Sequence, residues 1–276
     1  SEKNINHYIG EAYFLRALEY FDKLQMFGDF PIITETLPDQ HEVLMEASKR
    51  QPRNMVARFI IEDLDKAINL LQSNFKSKNR ITKNAALLLK SRVALYEASF
   101  LKYHRGTPRV PGEAGWPGAK MDYNANFSIN LDSEIDYFLT QSMSASKEVA
   151  DQISLTPNSG VLNPIGTEFA GWNPYFEMFA AVDMSKYDEV ILWKSYNADY
   201  TTHGVSVYIR NGGNYGLTKG YVDGFLMKNG LPIYATGSGF TTDKTIMETK
   251  AGRDERLQLF LAGEKDRLRV SDRSEE

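Results

Sequence analysis

The chain has 276 residues, 42% hydrophobic and 25% charged, which is long enough to bury a core without staples. A formal net charge of −4 argues against nucleic acid as a partner, and the absence of cysteine excludes disulfides, thiolate nucleophiles and cysteine-ligated zinc. No apolar run approaches the roughly 18 residues of a membrane-spanning helix, and no signal segment opens the chain.

From Ile5 to Phe27 the apolar residues Ile5, Tyr8, Ile9, Ala12, Leu15, Leu18, Phe21 and Leu24 recur at intervals of three and four. Tyr13, Phe14, Ala17 and Tyr20 widen this stripe, which predicts a helix packed on more than one side, ended by Gly28 and Pro31. A second amphipathic stripe runs over 54–72 and a third over 82–103, the latter opened by Thr82 as a candidate N-cap. Joined by a polar turn at Asn79 and Arg80, these two form an αα-hairpin. Ala85, Ala86 and Ala94 permit the close helix approach of tetratricopeptide pairs, although no strict repeat period is present.

Residues 104–132 are rich in proline and glycine without periodicity, a long loop of the kind that is more often functional than idle. A fourth helix is expected over 133–153. Thereafter Gly, Asn, Thr and aromatic residues surround short apolar runs, with short strands expected at 190–193 and 205–209 and a short helix at 221–227. The fold class expected is mainly α: a tetratricopeptide-like helical hairpin scaffold over 1–153 and an irregular, loop-rich half over 154–276 with a few short strands, together one domain.

Most chemical motifs fail on spacing. His7, His41, His104 and His203 show no metal-ligand interval, and no G-x-S-x-G elbow supports a nucleophilic serine. Asp132, Glu134 and Asp136 lack the turn glycine of a calcium loop, Tyr137 standing in its place, and read better as acidic residues complementing a helix dipole. In GLTKGYVDGFLMKNGLPI, Lys219 precedes Gly220 where a phosphate loop needs it to follow, so the glycines read as flanks of a short helix anchored by Val222, Phe225, Leu226 and Met227. No catalytic residue, metal or cofactor is implied.

The distinctive material is aromatic: 15 Tyr, 15 Phe and 3 Trp. Sugar rings have an apolar C–H face and an edge of hydroxyls, so a glycan site needs flat exposed rings bordered by polar side chains. Trp116, Trp172, Tyr175, Trp193, Tyr196 and Tyr200, with Asp199 and Arg210, are the candidate ligand-binding residues on that ground, and the alternative for each ring is a place in the core.

Five segments resemble, in order, the SusD/RagB family of outer-membrane nutrient-binding lipoproteins: GEAYFLRALEYFDKLQMFGDFPII at 10–33, NRITKNAALLLKSRVALYEAS at 79–99, EVILW at 189–193, YVDGFLMKNGLPI at 221–233 and RDERL at 253–257. The resemblance implies a mostly helical protein, lipid-anchored at the surface of the outer membrane over a SusC-like TonB-dependent transporter, that captures oligosaccharide or polysaccharide for import without cleaving it. It also implies that the chain is an internal fragment whose lipid anchor lies outside it. Binding residues are not among the family's shared motifs, so none is carried over. The alternatives are a helical interaction scaffold of an uptake complex that binds protein or peptide and, more distantly, a glycoside hydrolase, for which 36 acidic residues offer too many pairs to choose among.

Overall fold

A computed structural model describes residues 1–160, 173–197, 199–205, 208 and 216–264. The chain forms two compact units, one of Ser1–Ser154 with Asp188–Lys194, the other of Leu155–Tyr187 with Ser195–Glu276. It is mainly helical, and among the described residues the only β pairings are isolated bridges. No described helix is long and apolar enough to cross a membrane.

The first unit contains α1 (Glu2–Phe27), α2 (His41–Ala47), α3 (Arg53–Leu70), α4 (Lys83–Tyr103) and α5 (Leu131–Ala150). Among the long helices each packs on the next, α1 on α3, α3 on α4 and α4 on α5. Ala57, Ala67, Ala86 and Ala94 are buried at these contacts, and the space is filled by Leu24, Ile60, Leu64, Val93, Leu101 and Phe138. Burial of each such large side chain is worth about 1.5–3 kcal/mol, which is what drives the helices together.

The inward face of α1 differs from the stripe read in the sequence. Its buried residues are His7, Gly10, Glu11, Phe14, Ala17, Phe21 and Leu24, whereas Ile5, Ile9, Leu15 and Leu18 are exposed in this structure. Polar partners explain why His7 and Glu11 go inward: the His7 ring stacks on Phe75 at 3.7 Å and its Nδ1 accepts from the Gln72 amide at 3.1 Å, while Glu11 pairs with Arg80.

Three forked arginine–carboxylate pairs fix helix register. Arg16 on α1 donates to both oxygens of Asp63 on α3 at 2.6 and 2.8 Å, and Arg58 on α3 does the same to Glu134 on α5 at 2.8 and 2.7 Å. Arg53 on α3 donates to Glu97 on α4 at 2.7–3.2 Å, with both residues buried. A guanidinium fork matches a carboxylate in one orientation only, so each pair selects a single sliding position of two helices that apolar packing alone leaves degenerate.

The loop between α4 and α5 is regular in its hydrogen bonds though not in its secondary structure. Main-chain amides of Thr107, Val110, Glu113, Trp116 and Ala119 each donate to the carbonyl three residues back, and Met121, Asn124 and Phe127 continue the series. Two 3-10 turns, Pro117–Lys120 and Asp122–Asn124, lie within it. The helix that follows starts at Leu131 rather than near 133, because the Asn130 side chain accepts from the Ser133 amide and supplies the N-cap.

Segment 188–194 belongs to the first unit but does not make the strand expected at 190–193. The Trp193 amide donates to the Lys78 carbonyl at 3.1 Å and its carbonyl accepts from Asn79 Nδ2 at 3.3 Å, so the turn between α3 and α4 takes the bonds a neighbouring strand would. The strand expected at 205–209 falls mostly outside the described residues.

The second unit contains α6 (Pro174–Ala180), α7 (Lys219–Asp223), α8 (Ile246–Lys250) and α9 (Glu255–Phe260). Each is short and begins at a side-chain cap, supplied by Asn173, Thr218, Thr245 and Asp254. Arg253 is the hub: fully buried, it donates to the carbonyls of Val222 at 2.6 Å, Phe225 at 2.7 Å and Thr249 at 3.2 Å. The glycine-flanked stretch is therefore a structural clip, its helix shorter and earlier than the 221–227 read from sequence. Gly230, at φ 80°, turns the chain back so that the Leu231 carbonyl accepts from the Met227 amide.

Candidate functional site

Two places in the molecule gather rings and polar groups. In the second unit, Asn197 and Thr201 exchange both main-chain hydrogen bonds, at 2.9 and 2.8 Å, and the Asn197 side chain accepts from the Asp199 amide at 2.7 Å. This closed turn carries three of the expected ligand-binding residues outward: Tyr196 is 46% exposed, Tyr200 89% exposed, and Asp199 is exposed between them. The rings of Tyr196 and His203 meet at 4.3 Å in a T-shaped contact.

Tyr175 lies elsewhere in the same unit, half-buried on α6 in a cluster of rings. It meets Phe179 at 5.3 Å and Phe260 at 6.2 Å edge-to-face, and Phe260 lies parallel to Phe176 at 5.9 Å. Edge-to-face pairing of this kind is how rings pack with one another, yet Phe179 and Phe260 remain partly open to solvent. Trp172 and Arg210 lie outside the described residues.

Trp193 is in the first unit, half-buried, and its indole N–H meets no acceptor among the described residues. Trp116 corrects the expectation of an exposed ring in the long loop, being only 4% exposed. Its Nε1 donates to Asp29 Oδ2 at 2.8 Å and its ring lies 5.1 Å from that of Phe127, so it ties the loop to the end of α1. Gly118 makes room for it: a Cβ there would sit 2.2 Å from the indole ring.

The second gathering is a cavity of 530 Å³ beneath this loop, a size in the range of small-ligand sites. Phe27, Asp29, Arg50, Arg53, Phe100 and Arg109 line it, with Trp116, Gly118, Met121 and Tyr123 on the loop side. Asp29 accepts the Arg53 amide at 2.8 Å besides the indole, and burial nevertheless pushes its carboxyl above the ordinary carboxylate value. Glu97 behind it is pushed the same way by burial, against the pull of Arg53. The Arg53 guanidinium also lies flat on Phe100, 3.3 Å from the ring centre. Sequence reading singled out only Trp116 here. The arginines and Phe27 come from separate helix ends and the loop, and nothing in their local pattern announces that they meet.

Residues 1–95 match the SusD-like family model described as starch-binding associating with outer membrane. Over 101 residues, 37% of this chain, the sequence is 32% identical to the SusD-like protein P2 of Formosa agariphila, and the chain covers 20% of that relative. The fold resembles that of a SusD-like protein from Bacteroides fragilis NCTC 9343, with TM-score 0.53 and 21% identity over 93% of this chain and 43% of the other. The chain thus spans less than half the length of either relative. The family match over residues 1–95 and the fold likeness both point to SusD-like proteins.

Proposed function

From its similarity to SusD-like proteins, we propose that this chain is part of a SusD/RagB-type protein that binds oligosaccharide or polysaccharide at the outer membrane and hands it to a SusC-like TonB-dependent transporter, without catalysis. A surface lipoprotein, anchored through a segment outside this chain, is the form in which it would act. The observation that carries the reading is the match of residues 1–95 to a family described by starch binding and outer-membrane association. The turn presenting Tyr196, Asp199 and Tyr200 supports it, because two solvent-exposed tyrosines beside a carboxylate suit the C–H faces and hydroxyl edges of sugars. Tyr175, Trp193, Trp172 and Arg210 complete the proposed ligand-binding set, while Trp116 contributes to it by shaping the loop.

The test is affinity electrophoresis and calorimetry of the protein against a panel of polysaccharides, with Tyr196→Ala and Tyr200→Ala introduced together. Binding should weaken at least tenfold with the circular dichroism spectrum unchanged. Retained affinity removes the turn from the site, and release of reducing ends during incubation overturns the absence of catalysis. A second reading, a scaffold that docks a protein partner, is favoured by the exposed Ile5, Ile9, Leu15 and Leu18 along α1. It predicts a blank glycan panel together with co-purification of the transporter.

A further inference from the structure

The cavity under the loop of the first unit has a charge pattern that the reading above does not use. Its charged lining residues are Asp29, Arg50, Arg53 and Arg109. Asp29 accepts the Arg53 amide and the Trp116 indole, each at 2.8 Å, and feels the nearby charge of Arg50 without a hydrogen bond to it. Arg53 is neutralised by Glu97 behind the cavity wall. Elsewhere in the same unit Lys49 pairs with Glu46 at 2.5 Å and Arg105 pairs with Asp132. Arg50 and Arg109 differ: both are exposed, both line the cavity, and neither guanidinium has a carboxylate or carbonyl partner among the described residues. In a chain of net charge −4, with 36 acidic residues against 32 basic ones, a cavity lined by three arginines and one aspartate is a local reversal of sign.

Apolar surface accompanies the charge. Phe27 is 52% exposed and Tyr123 41% exposed on the same lining, Tyr123 with Lys49 Nζ 5.8 Å from its ring centre. The wall that carries Arg109 and Tyr123 is held by the series of main-chain turns and by Asn124 Nδ2 donating to the Gly118 carbonyl at 3.0 Å, so the arginine is presented from a fixed frame. Guanidinium forks bind planar or tetrahedral oxyanions through two parallel N–H donors, and aromatic faces bind pyranose rings.

We propose that this cavity is a binding site for an anionic sugar unit, a pyranose bearing a carboxylate or a sulfate ester, with Arg50 and Arg109 taking the anion and Phe27 and Tyr123 the ring. That the ring is a sugar rests on the glycan-binding reading; that the ligand is anionic rests on the arginines. Its residues are all contributed by the first unit and include none of the expected ligand-binding residues except Trp116.

The experiment is calorimetry of the protein with tetragalacturonate, with a sulfated carrageenan tetrasaccharide and with neutral cellotetraose, for the natural chain and for Arg50→Gln with Arg109→Gln. Neither guanidinium has a hydrogen bond or ion pair to lose among the described residues, so the variant should keep the natural thermal transition to within a few degrees. At least one anionic tetrasaccharide should bind at least tenfold more tightly than the neutral one, weaken as sodium chloride is raised, and lose that advantage in the variant. The arm that binds identifies carboxylate or sulfate. Anionic binding that survives both replacements, or equal binding of neutral and anionic sugars, overturns the proposal. Binding of neutral polysaccharides with neither anion bound overturns it while leaving the general glycan reading intact; failure of every glycan, neutral or anionic, overturns both.

Discussion

Replacing Glu97 by leucine should be among the most damaging single changes in the first unit. Glu97 is fully buried and accepts from Arg53 at 2.7, 3.0 and 3.2 Å, and Arg53 itself is buried. Removing the carboxylate leaves a guanidinium inside the protein without a counter-charge, which costs about 3–5 kcal/mol. The Phe100 ring does not offset this, because its contact with Arg53 is present before and after the change. Replacing both residues, Arg53→Met with Glu97→Leu, removes the stranded charge and should recover most of the loss. Urea denaturation followed by circular dichroism measures this: at a slope of about 2 kcal/mol per molar, the single variant's midpoint should fall by about 2 M and the double variant's by much less. A single variant that loses under about 1 kcal/mol, or a double variant at least as unstable as the single, would refute the buried-pair account.

Arg253→Met should destabilise the second unit by about 3 kcal/mol or more, since three main-chain carbonyls lose their donor; limited proteolysis should then cut within 216–260 before it cuts the helical unit. Gly118→Ala should expel the Trp116 ring that a Cβ would meet at 2.2 Å, seen as a red shift of tryptophan emission; an unshifted spectrum counts against the close contact. Asp29 has a folded-state value raised by burial above the ordinary 3.8, so its folded form holds the proton more tightly than the unfolded chain does. Its contribution is therefore fully present below the ordinary value and lost as pH rises through the raised one. Asp29→Asn should flatten the fall in stability over that window, and an unchanged pH slope would show that Asp29 is not its source.

Sequence periodicity located α3 and α4 well because most of their inward positions are apolar, although Arg53, Asn54, Asp63 and Glu97 are buried there too. It misjudged the face of α1 because the inward positions there include His7 and Glu11, whose burial depends on Phe75, Gln72 and Arg80, far along the chain. α2 escaped notice because seven residues with no buried side chain carry no stripe. The expectation of exposed residues held for Tyr196, Asp199 and Tyr200, which are close in sequence and share one turn. It misjudged Trp116, whose surroundings depend on Asp29, a residue 87 positions away. The cavity was illegible for the same reason: Phe27, Arg50 and Arg109 converge only once three helix ends and a loop are placed.

The turns that build the loop over this cavity are closed by main-chain amides and carbonyls, from His104 through Phe127. Its contour is thus specified largely by atoms that nearly every residue type possesses, with Trp116, Gly118 and the positive-φ Gly106, Gly112 and Gly115 as exceptions that demand their own identity. A rim made this way separates inheritance of shape from inheritance of taste: positions such as 109 and 123 are free to change chemistry in descendant proteins while the mould around them is copied unaltered.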